Sequence, residues 1–457
     1  MKVNQPISKS TVSTAVILAA GFGSRLSDDE PEPKPLVPVI GFPVIARVMA
    51  GAAKAGIRHF VVVTGFQADR LEKEIPDLIP EGCSLELLEN KRYEEPNGVS
   101  LLVASERLNE PFALLMTDHI FSPDRLRQAV FRFKESSRNL LVVEDRMRFN
   151  GDTDDATRVA VSNGRISNIG KQLTPFDAVD TGMFILWSDE ITKALKAAGP
   201  SPSVSDGMRI LSEAGKLDAL DVQAGFWQDI DTPEDLQAAE FKLFESLRKK
   251  SDGILARTLN RRISLFLSKR LWRFGISPNW VTTLTLILGI LAGWAFTQGN
   301  GVGWGLLGAT LFQLHSIIDG VDGELARLMH QESRFGFWYD ISVDNLSHMA
   351  VFGGIAWGQQ ADQVPGPWGV LGWLAVLGVA ACFAVMAPLL NPIHQMNTDD
   401  REKDSLEKLV DGLSRRDFTY LLFPLALLGW LGEFLWAAAF GTWIYAATAV
   451  FLRLKTK

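Results

Sequence analysis

The chain has little cysteine and no excess of positive charge. Its 457 residues include only Cys83 and Cys382, in segments that read as different domains. That count leaves no disulfide framework and no thiolate metal cluster. The formal net charge of -7 gives no broad basic surface, which excludes nucleic acid as a general partner. No internal repeat or low-complexity tract stands out. The apolar run Ala15–Ala20 is too short for a secretory signal and leads into glycines instead of a cleavage site, so the first half is expected in the cytoplasm. Long apolar runs are missing before residue 280 and frequent after it, several approaching the ~20 residues that a bilayer span needs.

What is present centres on a run of acids beside those apolar segments. Asp319-Gly-Val-Asp322-Gly323-Glu-Leu-Ala326-Arg327 is followed, after eight residues, by Gly336-Phe-Trp-Tyr-Asp340-Ile-Ser-Val-Asp344. Ionised side chains at membrane depth are costly and mark function. Asp319 and Asp322 share one helix face (i, i+3), and Asp340 and Asp344 share another (i, i+4). Facing helices would crowd four carboxylates, and cations must then offset their repulsion. Oxygen ligands favour Mg²⁺, Mn²⁺ or Ca²⁺, and two such ions ~4 Å apart suit in-line attack at phosphorus.

This spacing, D-x-x-D-G-x-x-A-R-x8-G-x3-D-x3-D, resembles the CDP-alcohol phosphatidyltransferase family. The resemblance implies that Asp319, Asp322, Asp340 and Asp344 bind Mg²⁺, with Mn²⁺ as the alternative. It makes Asp344 a metal ligand or the base on the acceptor hydroxyl. It gives Gly323, Ala326 and Arg327 the CDP site, and it gives Gly336 a close helix approach.

The first half carries a second motif. Thr14–Ala20 reads as a buried parallel strand running into Gly21-Phe-Gly23-Ser24-Arg25-Leu26, with Lys34-Pro35-Leu36 about ten residues on. Glycines let a backbone approach phosphates, and Arg25 can neutralise them. Alternating helix and strand patterns argue for a parallel sheet covered by helices. Asp118 ends the strand beginning at Ala113, where open α/β sheets bind ligands. L-A-A-G-x-G-S-R-L with K-P-L resembles the nucleotidyltransferase family. That likeness implies that Leu18, Ala19, Gly21, Gly23 and Ser24 cradle the nucleotide, and that Arg25 and Lys34 act on its phosphates. It places Asn97 and Ser100 at the base pocket, Lys171 and Asp180 at the acceptor, and Asp118 with Asp231 on the metal, Asp229 being the runner-up to Asp231.

The expected fold is an α/β nucleotidyltransferase, Rossmann-like with a mostly parallel sheet, fused to an all-α bundle of six spans. The domains are 1–245, a basic amphipathic juxtamembrane helix in 246–278, and 279–457. The spans fall near 280–298, 302–322, 339–358, 367–390, 418–432 and 435–452. Breaks at 299–301, 359–366 and around Gly432-Glu433 contain no Lys or Arg. Basic residues gather on the other side, which places both termini in the cytoplasm and the acids at the inner rim. Ser414-Arg415-Arg416-Asp417 is a weaker candidate for binding the acceptor's phosphate.

The full layout, with N-G-x-S-L, M-x-D-H, D-D-A-T-R-V, I-G-K and V-D-T-G, resembles the bifunctional inositol-1-phosphate cytidylyltransferase / di-myo-inositol phosphate phosphate synthase family. That resemblance implies CTP, inositol 1-phosphate and CDP-inositol as substrates, an inner-membrane location, and a homodimer through the bundle. Two alternatives stay open. One is a cytidylyltransferase for another phospho-alcohol, coupled to a phospholipid head-group synthase. The other is a membrane-tethered protein with an inactive nucleotidyltransferase domain. A charged fraction of 22% is unlike the Lys/Glu-rich profile of hyperthermophiles, whose heat-stress solute that phosphodiester typically is.

Overall fold

The computed structural model describes residues 12–22, 33–149, 151, 155–247, 259–299, 301–387 and 416–455. The chain divides into two compact units, one ending at Ser246 and one beginning at Leu247.

In the first unit, strands β1 (Thr14–Leu18), β2 (His59–Thr64), β3 (Ser84–Glu89) and β4 (Pro111–Met116) are followed by β5 (His119–Phe121), β6 (Asn139–Asp145), β7 (Arg158–Ser162), β8 (Arg165–Gly170), β9 (Ala178–Trp187), β10 (Leu217–Asp221) and β11 (Trp227–Asp229). Nine of them form one sheet in the order β3-β2-β1-β4-β9-β6-β10-β8-β7. β1 pairs in parallel with β2 and β4, and β2 with β3. β10 is also parallel to β6, but the other pairings depart from the mostly parallel expectation. β9 runs antiparallel to β4, β6 and β7, and β8 runs antiparallel to β7 and β10. The sheet is therefore mixed, because β8 returns from β7 through a tight turn, and β9 enters beside β4 against its direction. A tight turn can join only antiparallel neighbours, whereas a parallel pair needs a crossover.

Ala15, Val16 and Ile17 are fully buried, as a strand covered on both faces should be. Helices α1 (Val44–Lys54), α2 (Ala68–Glu74), α3 (Gly98–Ser105), α4 (Pro123–Ser136), α5 (Ser188–Ala198), α6 (Val204–Glu213) and α7 (Pro233–Ser246) complete the unit. Val16, Leu18, Phe112, Leu114 and Phe184 pack with Leu101 of α3, Leu195 of α5 and Met208 of α6. α6 starts at a capping box in which Ser203 accepts from the Asp206 amide and Asp206 accepts from the Ser203 amide, satisfying donors that a helix start leaves open.

In the second unit, α8 (Arg261–Leu271) precedes α9 (Pro278–Thr297), α10 (Val302–Leu328), α11 (Arg334–Ala361), α12 (Trp368–Met386), α13 (Leu422–Leu428) and α14 (Leu431–Lys455). α9 packs against both α10 and α11. Glycine makes this possible: a Cβ on Gly354 would lie 2.2 Å from the Gly293 carbonyl oxygen, and one on Gly293 would lie 2.6 Å from that of Ala350. Small residues at such crossings let helix backbones touch.

Among the described residues, three helices are long and apolar enough to cross a membrane: Pro278–Thr297, Trp368–Met386 and the Leu431–Phe451 part of α14. By length and hydropathy, three of the six expected spans are met among the described residues. α10 and α11 reach 27 and 28 residues but carry the acids and polar groups that lower their hydropathy. The expected fifth span is only a short 3₁₀ turn, Arg416–Leu421, followed by α13. α10 also continues past Asp322 to Leu328, and α11 begins at Arg334. The motif aspartates therefore sit within helices and not at their ends.

Candidate functional site

Among the described residues, each unit holds one group of acidic or histidine side chains close enough to share a metal ion. In the first unit, the loop after β4 presents Asp118, and His119 opens β5. Antiparallel pairing of β5 with β11 sets His119 opposite Asp229. Asp118, His119 and Asp229 each bring a ligand atom to within 4.8 Å of the others. His119 Nε2 lies 3.6 Å from Asp118 and 3.5 Å from Asp229. Lys34, in a short 3₁₀ turn, reaches Asp118 at 3.3 Å and also bonds Asp231. Asp231 was the sequence choice for the second metal ligand. The structure places its carboxylate on Lys34 and brings Asp229 to Asp118.

These charges set one another. Burial alone would lower the Lys34 pKa, but Asp118 and Asp231 outweigh it and raise it above the ordinary lysine value. Burial favours the acid form of Asp118, yet His119 and Lys34 hold it below the usual carboxylate range. Asp229 is pushed up to about 6 by burial, opposed by His119 and reinforced by Asp118 and Asp231. Asp180 also rises to about 6, from burial, against a hydrogen bond from the Gly182 amide and attraction to His119. Gly182 has φ +68°, and a Cβ there would lie 2.2 Å from His119 Nδ1. Only glycine fits this turn, which ties Val179-Asp180-Thr181-Gly182 to the acidic cluster.

The other candidates are spread around this edge. The Leu18 carbonyl accepts from Thr117 Oγ1 at 3.0 Å, and the Ala19 amide donates to Val63 at 2.9 Å. Both residues are buried. A Cβ on Gly21 would meet nothing within 4 Å. Gly23, Ser24 and Arg25 lie outside the described residues. Asn97 and Ser100 work within the fold: Asn97 Oδ1 accepts from the Val204 amide at 2.9 Å, and Ser100 Oγ accepts from Asn90 at 2.9 Å. Lys171 is exposed and bonds Asp155 at 2.8 Å.

In the second unit, Asp319 of α10 and Asp340 and Asp344 of α11 bring ligand atoms to within 4.8 Å of one another. Asp322 does not belong to that group of three. It is buried, and its carboxylate accepts from Thr282 Oγ1 of α9 at 2.6 Å and from the Gly323 amide. Arg327 lies over Gly323, where a Cβ would be 3.2 Å from Nη1; Ala326 is half-buried beside it. Gly336 follows the α11 cap, its amide donating to Ser333 Oγ at 2.9 Å, and a Cβ on it would lie 3.3 Å from Asn279. Ser414 and Arg415, and the side chains of Arg416 and Asp417, lie outside the described residues.

Sequence reasoning missed His315. It lies one helical turn before Asp319 on α10. Its Nε2 is 3.5 Å from Asp344, and its Nδ1 is 2.9 Å from the Thr285 carbonyl. Phe312 stacks on the ring at 5.4 Å. The i, i+4 spacing to Asp319 was the available signal. The basic helix is also only partly as expected. Arg262, Lys269, Arg270 and Arg273 are exposed, but Arg261 turns inward. With Ser264 and Ser268, it binds the fully buried Glu324 at 2.6–2.8 Å. Arg257 lies outside the described residues.

The clustered carboxylates form a hard oxygen donor set that suits Mg²⁺ or Mn²⁺ at both places. The comparisons agree with this division. Residues 15–217 match the MobA-like NTP transferase domain and residues 275–452 the CDP-alcohol phosphatidyltransferase family. A protein of Thermococcus kodakarensis called "Bifunctional IPC transferase and DIPP synthase" is 33% identical over 365 residues, covering 80% of this chain and 79% of that protein. This chain belongs to the bifunctional IPC transferase and DIPP synthase family. A member from Aquifex aeolicus is 29% identical across 98% of this chain and 99% of its own length. Among solved structures, the inositol-1-phosphate CTP transferase of T. maritima is 24% identical, with a TM-score of 0.44, over 51% of this chain and 95% of that one. As a member of this family, the protein is an enzyme with a nucleotidyltransferase half and a CDP-alcohol phosphatidyltransferase half.

Proposed function

We propose that the two halves run consecutive steps. In the first, a phosphate oxygen of inositol 1-phosphate attacks the α-phosphorus of CTP. The bond to the β-phosphate breaks, giving CDP-inositol and pyrophosphate. In the second, a hydroxyl of another inositol 1-phosphate attacks the phosphorus that carries inositol in CDP-inositol. CMP leaves, and the hydroxyl proton passes to Asp344. The observation that carries this reading is the presence of two separate acidic clusters, each on its own motif, in one chain whose relatives are named for both activities.

Lys34 offers a fixed ammonium to the triphosphate, and Arg25 joins it by resemblance. Asp118 and Asp229, with Asp231 held by Lys34, would bind a divalent ion in the first half. Asp319, Asp340 and Asp344 would do so in the second, with Asp322 set beside them by Thr282. A bound Mg²⁺ supplies charge neutralisation of the phosphates and of the leaving group. Arg327, lying over Gly323, presents a planar fork to the pyrophosphate of the CDP-alcohol. The second half lies in the inner membrane with both termini cytoplasmic. Support for that orientation comes from the basic residues gathered on one side of the helices, and the two active sites then face the same compartment.

Membranes containing the full chain, incubated with CTP, Mg²⁺ and labelled inositol 1-phosphate, test the reading. It requires a water-soluble phosphodiester with release of pyrophosphate and CMP. Label recovered in chloroform-soluble lipid would instead assign a phospholipid head-group synthase. No pyrophosphate release would leave only a tethered, inactive N-terminal half.

A further inference from the structure

Three aromatic side chains at the ligand edge of the first unit have no part in the scheme above. β1, β2, β3 and β4 run parallel, so their C-terminal ends share one edge of the sheet, where open α/β sheets take ligands. Phe22 follows β1, Phe66 follows β2 and Tyr93 follows β3. Their closeness is built into the backbone. The Phe66 amide donates to the Ala20 carbonyl at 3.1 Å. Gly65 is hemmed in, since a Cβ on it would lie 2.4 Å from Tyr93 Cβ and 2.9 Å from Ala20 Cβ. Tyr93 and Ala20 thus close over Gly65 from two sides. The Phe22 ring rests 4.7 Å from Phe66 and 5.6 Å from Tyr93.

Phe22 nevertheless stays 43% exposed. An aromatic ring supported from behind and open in front is a ready stacking surface. The order of the sheet says what would lie on it. β2 and β3 stand on one side of β1, and β4, which leads to Asp118, stands on the other. The Lys34–Asp118–Asp231 cluster therefore occupies one flank of the Gly21 loop, and the aromatic group occupies the other. A nucleoside triphosphate has a charged end and a flat aromatic end. With its phosphates towards Lys34 and its chain passing Gly21, where a Cβ would meet nothing within 4 Å, its base arrives at Phe22.

We infer that Phe22, backed by Phe66 and Tyr93, is the stacking surface for the nucleobase of the nucleotide substrate and a determinant of how tightly CTP is held. This rests on the nucleotidyltransferase reading given above. Stacking needs a π face, which leucine lacks despite similar bulk. The bland alternative is an apolar latch that only steadies the loop, and leucine would serve that role as well as phenylalanine.

The test uses the full chain with CTP and inositol 1-phosphate, following pyrophosphate release for wild type, Phe22→Leu and Phe22→Trp. Loss of one base–aromatic stack should raise the KM for CTP about ten-fold. It should leave kcat and the KM for inositol 1-phosphate unchanged, while Phe22→Trp keeps or lowers the KM for CTP. Circular dichroism and urea unfolding of the full chain monitor the integrity of each variant. An active wild type with an unaltered KM for CTP in Phe22→Leu overturns this inference and leaves the two-step scheme standing. A change confined to kcat or to the inositol 1-phosphate KM also overturns it. If Phe22→Leu fails to fold, Phe22→Trp decides: a KM for CTP raised more than about ten-fold rules out stacking. A wild type that releases no pyrophosphate removes the two-step scheme, and this inference with it.

Discussion

The two acidic clusters hold their carboxylates by different means. In the first unit Lys34 makes ionic contacts with Asp118 and Asp231, and the His119 ring stands within 3.6 Å of Asp118 and Asp229. In the second, Asp322 is held by neutral donors, the Thr282 hydroxyl and the Gly323 amide. Its neighbours follow i, i+3 and i, i+4 spacing on α10 and α11, and Asp344 also stands 3.5 Å from His315 Nε2. A loop site on a sheet edge brings charged side chains from separate segments against its carboxylates. Packed helices instead fix carboxylates through backbone position, where a charge without partners is expensive. The difference teaches that both sites set a histidine against an aspartate, while a lysine joins the first and hydroxyl and amide donors on packed helices join the second.

Substitutions can break this comparison, the largest effects coming first. Lys34→Ala should reduce pyrophosphate release at least about a thousand-fold, because a charge aimed at the triphosphate is lost from a preorganised site. Transfer from supplied CDP-inositol should continue, as thin-layer separation of the products would reveal. Asp319→Asn should do the reverse. Loss of both activities in either variant would mean that the sites are not separable.

His315→Ala should weaken the second site's hold on its ion. Groups that orient ligating carboxylates alter metal affinity by about 10- to 100-fold when removed. Titration with Mn²⁺, followed by electron paramagnetic resonance, should show that shift in the isolated full chain with no substrate present. Unchanged affinity would make His315 only a packing residue.

Thr282→Val should cost about 1–3 kcal/mol, because a buried carboxylate oxygen loses its donor without gaining water. Thermal unfolding in detergent checks this, and a loss below about 0.5 kcal/mol would show that packing alone suffices for Asp322.

Asp180 gives the most pH-dependent effect. Its pKa of about 6 in the fold exceeds the ordinary carboxylate value of 3.8. An acid raised by folding binds its proton more tightly in the native state. Stability from this group is therefore fully present at low pH and is lost as pH rises from the unfolded value towards 6. Asp180→Asn should stabilise the first unit by up to about 3 kcal/mol at pH 7. The gain should vanish near pH 4, as urea unfolding at the two pH values would measure. An equal gain at both would rule out ionisation as its cause.

The motif around Asp319 was legible because helical spacing is local. Two residues three or four apart face the same way whatever the rest of the chain does. Asp118 was legible because a strand end is also a local feature. What could not be read depends on distant partners. Asp229 joins Asp118 because β5 pairs with β11 more than a hundred residues on, and no local pattern encodes that register. His315 acts across a helix–helix contact, and Arg261 turns inward because Glu324 lies fully buried beneath it. The mixed sheet has the same origin, since strand direction is set by which neighbour β9 finds. Asn97 and Ser100 stand in a segment with a nucleotide-site pattern, yet their described bonds serve α6 and Asn90.

The most direct test of two consecutive sites on one chain is the Asp344→Asn variant supplied with CTP and inositol 1-phosphate. Pyrophosphate and CMP are measured together by ³¹P nuclear magnetic resonance. Pyrophosphate should appear at the wild-type rate while CDP-inositol accumulates and CMP release stops. Undiminished CMP release, or a failure to form CDP-inositol, would contradict the account.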